Sequence, residues 1–494
     1  MKPITPACHQ DAPPAPSRRQ FVLRAGEALA ALGFGWPLLA QSQATEMRPP
    51  SDTTASRLVG PLPKRGDYLI RGGYVVTMEG DDLPRGDVLV RDGTIVAVGV
   101  GLPQAPGAEL IDGTGCIVMP GLVDTHWHMW NTLLRSMSGE QASNGYFAVA
   151  EALGKLFTPR DMYLGVLLSA AEAINSGITT VHDWCHNTLT PEHVDQDVDA
   201  LRQAGIRARF SYGYPQGYPR TMQVNFDDVA RVQQQHFARG ADPLLTMGYA
   251  MRGIRYPGAY PREWELARKL GLPISVHANI TKKFGNEDEI DNFSRAGLLG
   301  KDVQVIHALT APPSAIEAMA KAGTSVSISP YSEMRIGFGF PQVGAFLSAG
   351  VVLTLSVDTL ALTGNADMFG VMKATLNIEN ARTEDEFRLK PRRVLQMATI
   401  DGAKGLGLGD VIGSLKVGKR ADLIMVRQSA VNMSPIPDVS HLIVEAAQPS
   451  NVDAVMVDGR FLKRDGRLTT FDVPALAREA AGALGRLKQQ ARWS

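Results

Sequence analysis

The sequence predicts an α/β fold, a (β/α)8 barrel of the TIM type with a small β-sandwich built from the segments on either side of it. Three observations predict it. Between residues 119 and 407, eight short β-rich runs alternate with helix-like text, the pattern of βα units that close into a parallel barrel. Residues 66–118 and 408–470 read differently, as short apolar runs broken by turn signals, so a small all-β unit is split between two parts of the chain. The length, 494 residues with 44% hydrophobic and 20% charged, suits one large barrel plus an accessory piece.

The first 44 residues read as an address. Ser17-Arg18-Arg19-Gln20-Phe21-Val22-Leu23 precedes a weakly apolar stretch from Ala28 to Ala40, and Ser42-Gln43-Ala44 offers the small residues of a cleavage site. Adjacent arginines mark the twin-arginine variant of a secretory signal, and the segment resembles a Tat signal peptide. That resemblance implies export of the folded protein by the Tat machinery to the periplasm or beyond the cell. The stretch is too short and glycine-broken to span a bilayer, so no stable membrane insertion is expected. Residues 45–65, rich in Pro, Ser and Thr, read as a linker.

Within 66–118 the runs are Tyr68–Met78, Gly86–Gly99 and Ala108–Val118, and Asp92-Gly93 is a hairpin signal. Ile412–Val426 and Asn451–Leu462 repeat this text beyond the barrel, with Asp458-Gly459 as a second hairpin. The barrel strands are expected at the run ending in Asp124, then Ile178–Trp184, Ile206–Tyr212, Leu244–Tyr249, Pro273–His277, Val303–His307, Thr324–Ser329 and Val351–Asp358. Residues 471–494 read as an amphipathic C-terminal helix.

Composition excludes several functions. Lys+Arg and Asp+Glu both total 50, so no charge excess points to nucleic acid. Three cysteines (Cys8, Cys116, Cys185) with no CxxC pair cannot make a disulfide framework. A small-molecule substrate is expected, and a homo-oligomer is left open.

The chemistry is carried by polar residues at strand ends. In Asp124-Thr125-His126-Trp127-His128 the two histidines stand at i and i+2, on one face of an extended strand. His277, His307 and Asp358 each terminate an otherwise apolar run, where a core residue would be expected if the position had no function. Imidazole nitrogens with a carboxylate suit one borderline divalent ion, zinc first and ferrous iron second, with a position left for water.

With these residues in view, the text around His126-Trp127-His128 resembles the first-strand motif of the amidohydrolase superfamily. The likeness covers residues 66–470, including Gly413–Val426. The stretch Ser325–Asp367, with Pro330, Gly337-Phe338-Gly339 and Ala366-Asp367, is similar to its chlorohydrolase and aromatic-deaminase branch. The resemblance implies a metal held by His126, His128, His277 and Asp358, with His307 catalytic but not a ligand. Asp358 would also accept the proton of the attacking water, and His307 would stabilise developing charge. The fourth run, Leu244–Met251, has no Lys, so a bridged pair of metals is not expected.

One position departs from that branch. Three residues after the fifth-strand His, where heterocycle deaminases carry a proton-donating Glu, this chain has Ile280. Isoleucine relays no proton. The expected reaction is therefore hydrolysis of a non-peptide C–N bond, of amide, lactam, imide or urea type, in a small cyclic or aromatic molecule. A heterocycle deaminase or dechlorinase with another donor, and a metal-dependent decarboxylase or lyase, are the alternatives. Glu333, with Tyr331 and Arg335 after the seventh strand, is a candidate substitute acid or substrate contact. His182 and His186 are candidate pocket residues, and Trp127, Trp130 and Phe157 candidate apolar lining. Asn279 either polarises a substrate carbonyl or caps the next helix.

Overall fold

Eight strands alternate with helices along the middle of the chain and pair, all parallel, as a single sheet. The computed structural model describes residues 58–215, 223–238, 242–251, 260–285 and 287–493; the expected leader and residues 45–57 of the expected linker lie outside them. Before the barrel come β1 (Tyr68–Val75), β2 (Leu83–Arg91), β3 (Thr94–Gly99), β4 (Glu109–Asp112) and β5 (Cys116–Pro120). The barrel strands are β6 (Leu122–Trp127), β7 (Ile178–Cys185), β8 (Arg207–Tyr212), β9 (Leu245–Met251), β10 (Ile274–Ala278), β11 (Val303–His307), β12 (Ser325–Ile328) and β13 (Leu353–Leu355). After them follow β14 (Leu423–Arg427), β15 (Val452–Val457), β16 (Arg460–Arg464) and β17 (Arg467–Leu468).

The barrel is closed by the residues of greatest chemical interest. Asp358 N donates to His126 O at 3.0 Å, and His128 N donates to Asp358 O at 2.7 Å, joining the end of β13 to the end of β6. Asp124 braces the same seam, accepting from Val357 N at 2.9 Å and His126 N at 3.1 Å. Helices between strands carry ordinary start and stop chemistry. Pro159–Ser176 begins at a Thr158 cap with Pro159 in its first turn and stops at Gly177, whose φ is 91°.

The expected sandwich is one sheet folded over on itself, its strands joined in the order β17-β16-β15-β14-β5-β1-β2-β3, with β4 on β1. In a flat sheet, four strand spacings would part β16 from β1 by roughly 19 Å. Yet the rings of Tyr68 (β1) and Phe461 (β16) lie 4.9 Å apart. Between the layers is a core separate from the barrel's, including Ile70, Val88, Val118, Leu423 and Met456. Both predicted hairpin turns adopt positive φ at two successive residues, 41° and 74° at Asp92-Gly93 and 52° and 73° at Asp458-Gly459. The turns touch: a Cβ on Gly459 would lie 2.4 Å from Gly93 Cα. Arg420 ties them by donating to Asp458 Oδ1 at 2.6 Å and Asp92 O at 3.1 Å.

The C-terminal helix, Val473–Ala491, buries Ala475, Leu476, Ala480, Ala483 and Leu487 and packs on Pro159–Ser176. Cys116 and Cys185 are buried free thiols. Among the described residues no helix is long and apolar enough to cross a membrane.

Candidate active site

The C-terminal ends of β6, β10, β11 and β13 bring His126, His128, His277, His307 and Asp358 together. One nitrogen of each of His126, His128 and His277 falls within 4.8 Å of the others. His126 Nε2 is 3.2 Å from His277 Nε2 and 3.3 Å from Asp358 Oδ1, which is itself 3.4 Å from His128 Nε2. Burial holds all three imidazoles below their ordinary pKa, with neighbouring histidines adding to it at His126 and His277. Neutral ring nitrogens and a carboxylate thus converge on one point, a set that suits a divalent cation. His128 Nδ1 lies 3.0 Å from Trp184 O, which fixes the proton on Nδ1 and turns the Nε2 lone pair toward the cluster.

His307 stands beside this group, its ring centroid 5.3 Å from that of His277. Its Nδ1 donates to Glu333 Oε1 at 3.0 Å, and the same oxygen accepts from Ser329 N at 2.8 Å. Burial pushes His307 down, but the Glu333 hydrogen bond and the Asp358 charge outweigh it and leave its pKa above the ordinary value. Ser332, next to Glu333 on the short helix Pro330–Arg335, hydrogen-bonds Asp358 Oδ2. One short helix therefore grips both His307 and Asp358. These two residues also hold left-handed backbone, with φ of 71° and 65°. Such conformations cost on the order of 1–3 kcal/mol and cluster where side chains must be aimed.

Several expected contacts fall elsewhere. Glu333 is fully buried, and its Oε1 is taken by His307 Nδ1 and the Ser329 amide. His182 lies inside the barrel, not at its mouth, with Nε2 2.7 Å from Ser211 Oγ and Nδ1 2.9 Å from Thr125 O. Asn279 is spent on the backbone, its Oδ1 accepting from Ile290 N at 3.0 Å and its Nδ2 donating to Glu287 O, so it shapes the start of the helix Glu289–Arg295. Trp127 is buried in the core, on the side of β6 opposite the two histidines. Trp130 is also buried, beside Phe157, and its Nε1 donates to His186 Nδ1 at 2.9 Å. His186 in turn stacks on His128 with centroids 4.0 Å apart, a support for that ring. Tyr331 is partly exposed and lies against Gly370.

Two residues were not singled out from the sequence. Trp184 packs its ring 4.4 Å from His277 and 5.3 Å from His128, and its Nε1 donates to Ser275 Oγ at 3.1 Å. Its position, two residues beyond His182 on the inward face of β7, was the available signal. Tyr146 is buried with its hydroxyl accepting from Asn131 Nδ2 at 3.4 Å; no strand-end pattern marks it.

Known proteins resemble this chain over most of its length. The profile of the amidohydrolase family matches residues 117–462. A 5'-deoxyadenosine deaminase of Methanosarcina mazei is 30% identical over 442 residues, 85% of this chain and 98% of that protein. A 5-methylthioadenosine/S-adenosylhomocysteine deaminase of Halobacterium salinarum is 32% identical over 428 residues, 82% and 95% respectively. Among solved structures, an adenosine deaminase from Xanthomonas campestris with bound zinc matches with a TM-score of 0.77 at 26% identity, covering 86% of this chain and 100% of that one.

Proposed function

This chain belongs to the amidohydrolase family and is a hydrolase, and we propose that it deaminates an aminated nitrogen heterocycle of the adenine-nucleoside kind. Water replaces the ring amino group: the ring carbon gains oxygen, the C–N bond breaks, and ammonia leaves. The observation that carries the reading is the convergence of His126, His128, His277 and Asp358 on one point beside a His307 that Glu333 orients.

His126, His128, His277 and Asp358 would hold one divalent ion, zinc before ferrous iron. Bound there, such an ion would lower the pKa of a water toward about 7 and supply a Lewis acid to the site. Asp358, held by Ser332, accepts the proton of the attacking water and returns it to the departing nitrogen. His307, its Nδ1–H fixed on Glu333, acts as a cation against the negative charge developing at the attacked carbon's substituents. His307 also takes up the task that Ile280 cannot perform: its Nε2–H passes to the ring nitrogen as water attacks, and the hydroxyl proton of the tetrahedral carbon returns to Nε2 as ammonia leaves.

A second reading is favoured by Ile280 itself: hydrolysis of a lactam, imide, amide or urea, which needs no ring protonation. The two separate on ammonia release. Metal-loaded protein is incubated with adenine nucleosides and other aminated heterocycles, and in parallel with cyclic amides and imides. Ammonia from the first group supports deamination; ring-opened acid from the second alone overturns it. The pattern around Arg18-Arg19 supports export of the folded protein by the twin-arginine route, to the periplasm or medium.

A further inference from the structure

Three phenylalanines meet over the barrel mouth from three different connections. Phe147 lies on the helix Tyr146–Gly154, which follows β6; Phe284 follows β10; Phe338 follows β12. Their ring centroids are 6.2 Å (Phe147–Phe284), 6.5 Å (Phe147–Phe338) and 5.6 Å (Phe284–Phe338) apart. In the strand order β6 and β10 are four places apart, on opposite sides of an eight-stranded barrel. Contact between Phe147 and Phe284 therefore spans the mouth. Phe338 also meets His307, at 6.0 Å in an edge-to-face arrangement. The span thus sits directly over the reacting groups.

This is not core packing that happens to lie near the surface. None of the three belongs to the barrel's hydrophobic core, and Phe147 is 49% exposed with Phe340 beside this loop 63% exposed. Phe284 and Phe338 are half-buried, and apolar clusters left partly exposed in this way mark ligand or partner contact. The loop is built to present Phe338: it stands between Gly337 and Gly339, with φ of 73° and 139°, and Lys283 Nζ donates to Gly337 O at 3.4 Å. Arg335 ties the same loop to Ser138 O at 3.0 Å.

We propose that Phe147, Phe284 and Phe338 form an aromatic roof over the substrate that selects heterocycles carrying an apolar or aromatic substituent and rejects those carrying an anionic one. The proposal rests on the deaminase reading and adds the class of the substituent. A phenyl or alkyl group gains burial and ring contacts against the roof. A carboxylate pressed against the three phenyl faces loses its water and gains no partner from the rings, the neighbouring Lys283 Nζ being turned to Gly337 O.

The test uses metal-loaded full-length protein and two probes with the same ring, 9-benzyladenine and 9-(carboxymethyl)adenine. Kd is measured by calorimetry, and kcat/KM by ammonia release. The unaltered protein should prefer the benzyl probe by about tenfold or more, a difference of ~1.4 kcal/mol. In Phe338→Ala and Phe284→Ala that preference should fall to near unity through a weaker Kd for the benzyl probe, whereas Phe338→Leu should keep part of it. Melting curves and metal content show whether each variant is folded. Equal affinity for the two probes, no binding of either, or a preference unmoved in folded variants overturns the proposal. Preferential binding of the benzyl probe without ammonia release supports the roof while refuting deamination, so the two failures are distinct.

Discussion

Replacing Glu333 with alanine removes the acceptor of two buried donors at once, His307 Nδ1–H at 3.0 Å and the Ser329 amide at 2.8 Å. A buried donor left unpaired costs roughly 1–3 kcal/mol. The Ser329 share is felt in folding. The His307 share falls on the catalytic imidazole and, at about 1.4 kcal/mol per tenfold, corresponds to a loss of roughly 5- to 150-fold in kcat. Glu333→Gln keeps an acceptor but loses the charge assistance, which separates bonds of about 1.5–3 kcal/mol from bonds of about 0.5–1.5 kcal/mol. Its loss should be roughly tenfold. The pH profile carries a further sign. Glu333 helps hold His307 above its ordinary pKa, so activity that needs the imidazolium falls as pH rises through that raised value. In Glu333→Gln the fall should come at lower pH. The assay is kcat and KM against pH for both variants at matched metal content, with the same substitutions repeated on a His307→Ala background. An unchanged kcat in Glu333→Ala, or an equal further loss when His307 is already absent, would refute the reasoning.

Four other outcomes follow from the same geometry. Asp358→Asn should lower kcat/KM by at least about 10²–10⁴-fold, the usual contribution of a general base, and should weaken metal retention; near-normal turnover would remove Asp358 from its role. Chelation should abolish activity and lower the melting temperature, and titration should restore both at about one equivalent of zinc; recovery only at two equivalents would contradict a single site. Asp183 and Asp197 are buried, and burial raises both carboxyls above their ordinary range, with the Asp197 charge adding at Asp183. Unfolded carboxyls ionise from about pH 4, so stability should fall as pH rises from there through the raised values of the pair, and Asp197→Asn should flatten that fall and raise the melting temperature at neutral pH; a steeper fall in that variant would contradict the sign. Replacing Arg18 and Arg19 with Lys should retain the protein in the cytoplasm on fractionation; unchanged export would exclude the twin-arginine route.

Strand-end polarity made much of the site legible. His126, His128, His277, His307 and Asp358 each interrupt an apolar run, and the barrel's geometry carries such interruptions to one mouth. What two-residue periodicity cannot give is depth along the barrel. His182 shares the inward face with Trp184, but it lies one layer lower, among Thr125, Ser211 and Gln304. Nor does sequence give the reach of a side chain between connections. Glu333 was legible as an acid near the site, yet its contact with His307, 26 positions earlier, depends on how the short helix after β12 folds back. The aromatic roof is less legible still, because its three rings come from connections with no common period. Asn279 illustrates the reverse: a polar residue two positions after a metal-type histidine is consumed by its own backbone.

The central claim is that solvent water, activated at the His126–His128–His277–Asp358 cluster, replaces nitrogen on a heterocyclic carbon. Turnover of an aminated heterocycle by zinc-loaded protein in ¹⁸O-labelled water, followed by mass spectrometry of the product with ammonia counted alongside, tests it most directly. One solvent oxygen on the ring carbon and one ammonia are expected for each molecule converted, with both lost together in Asp358→Asn. Product without solvent oxygen, or labelled product with the amino nitrogen still attached, would contradict it.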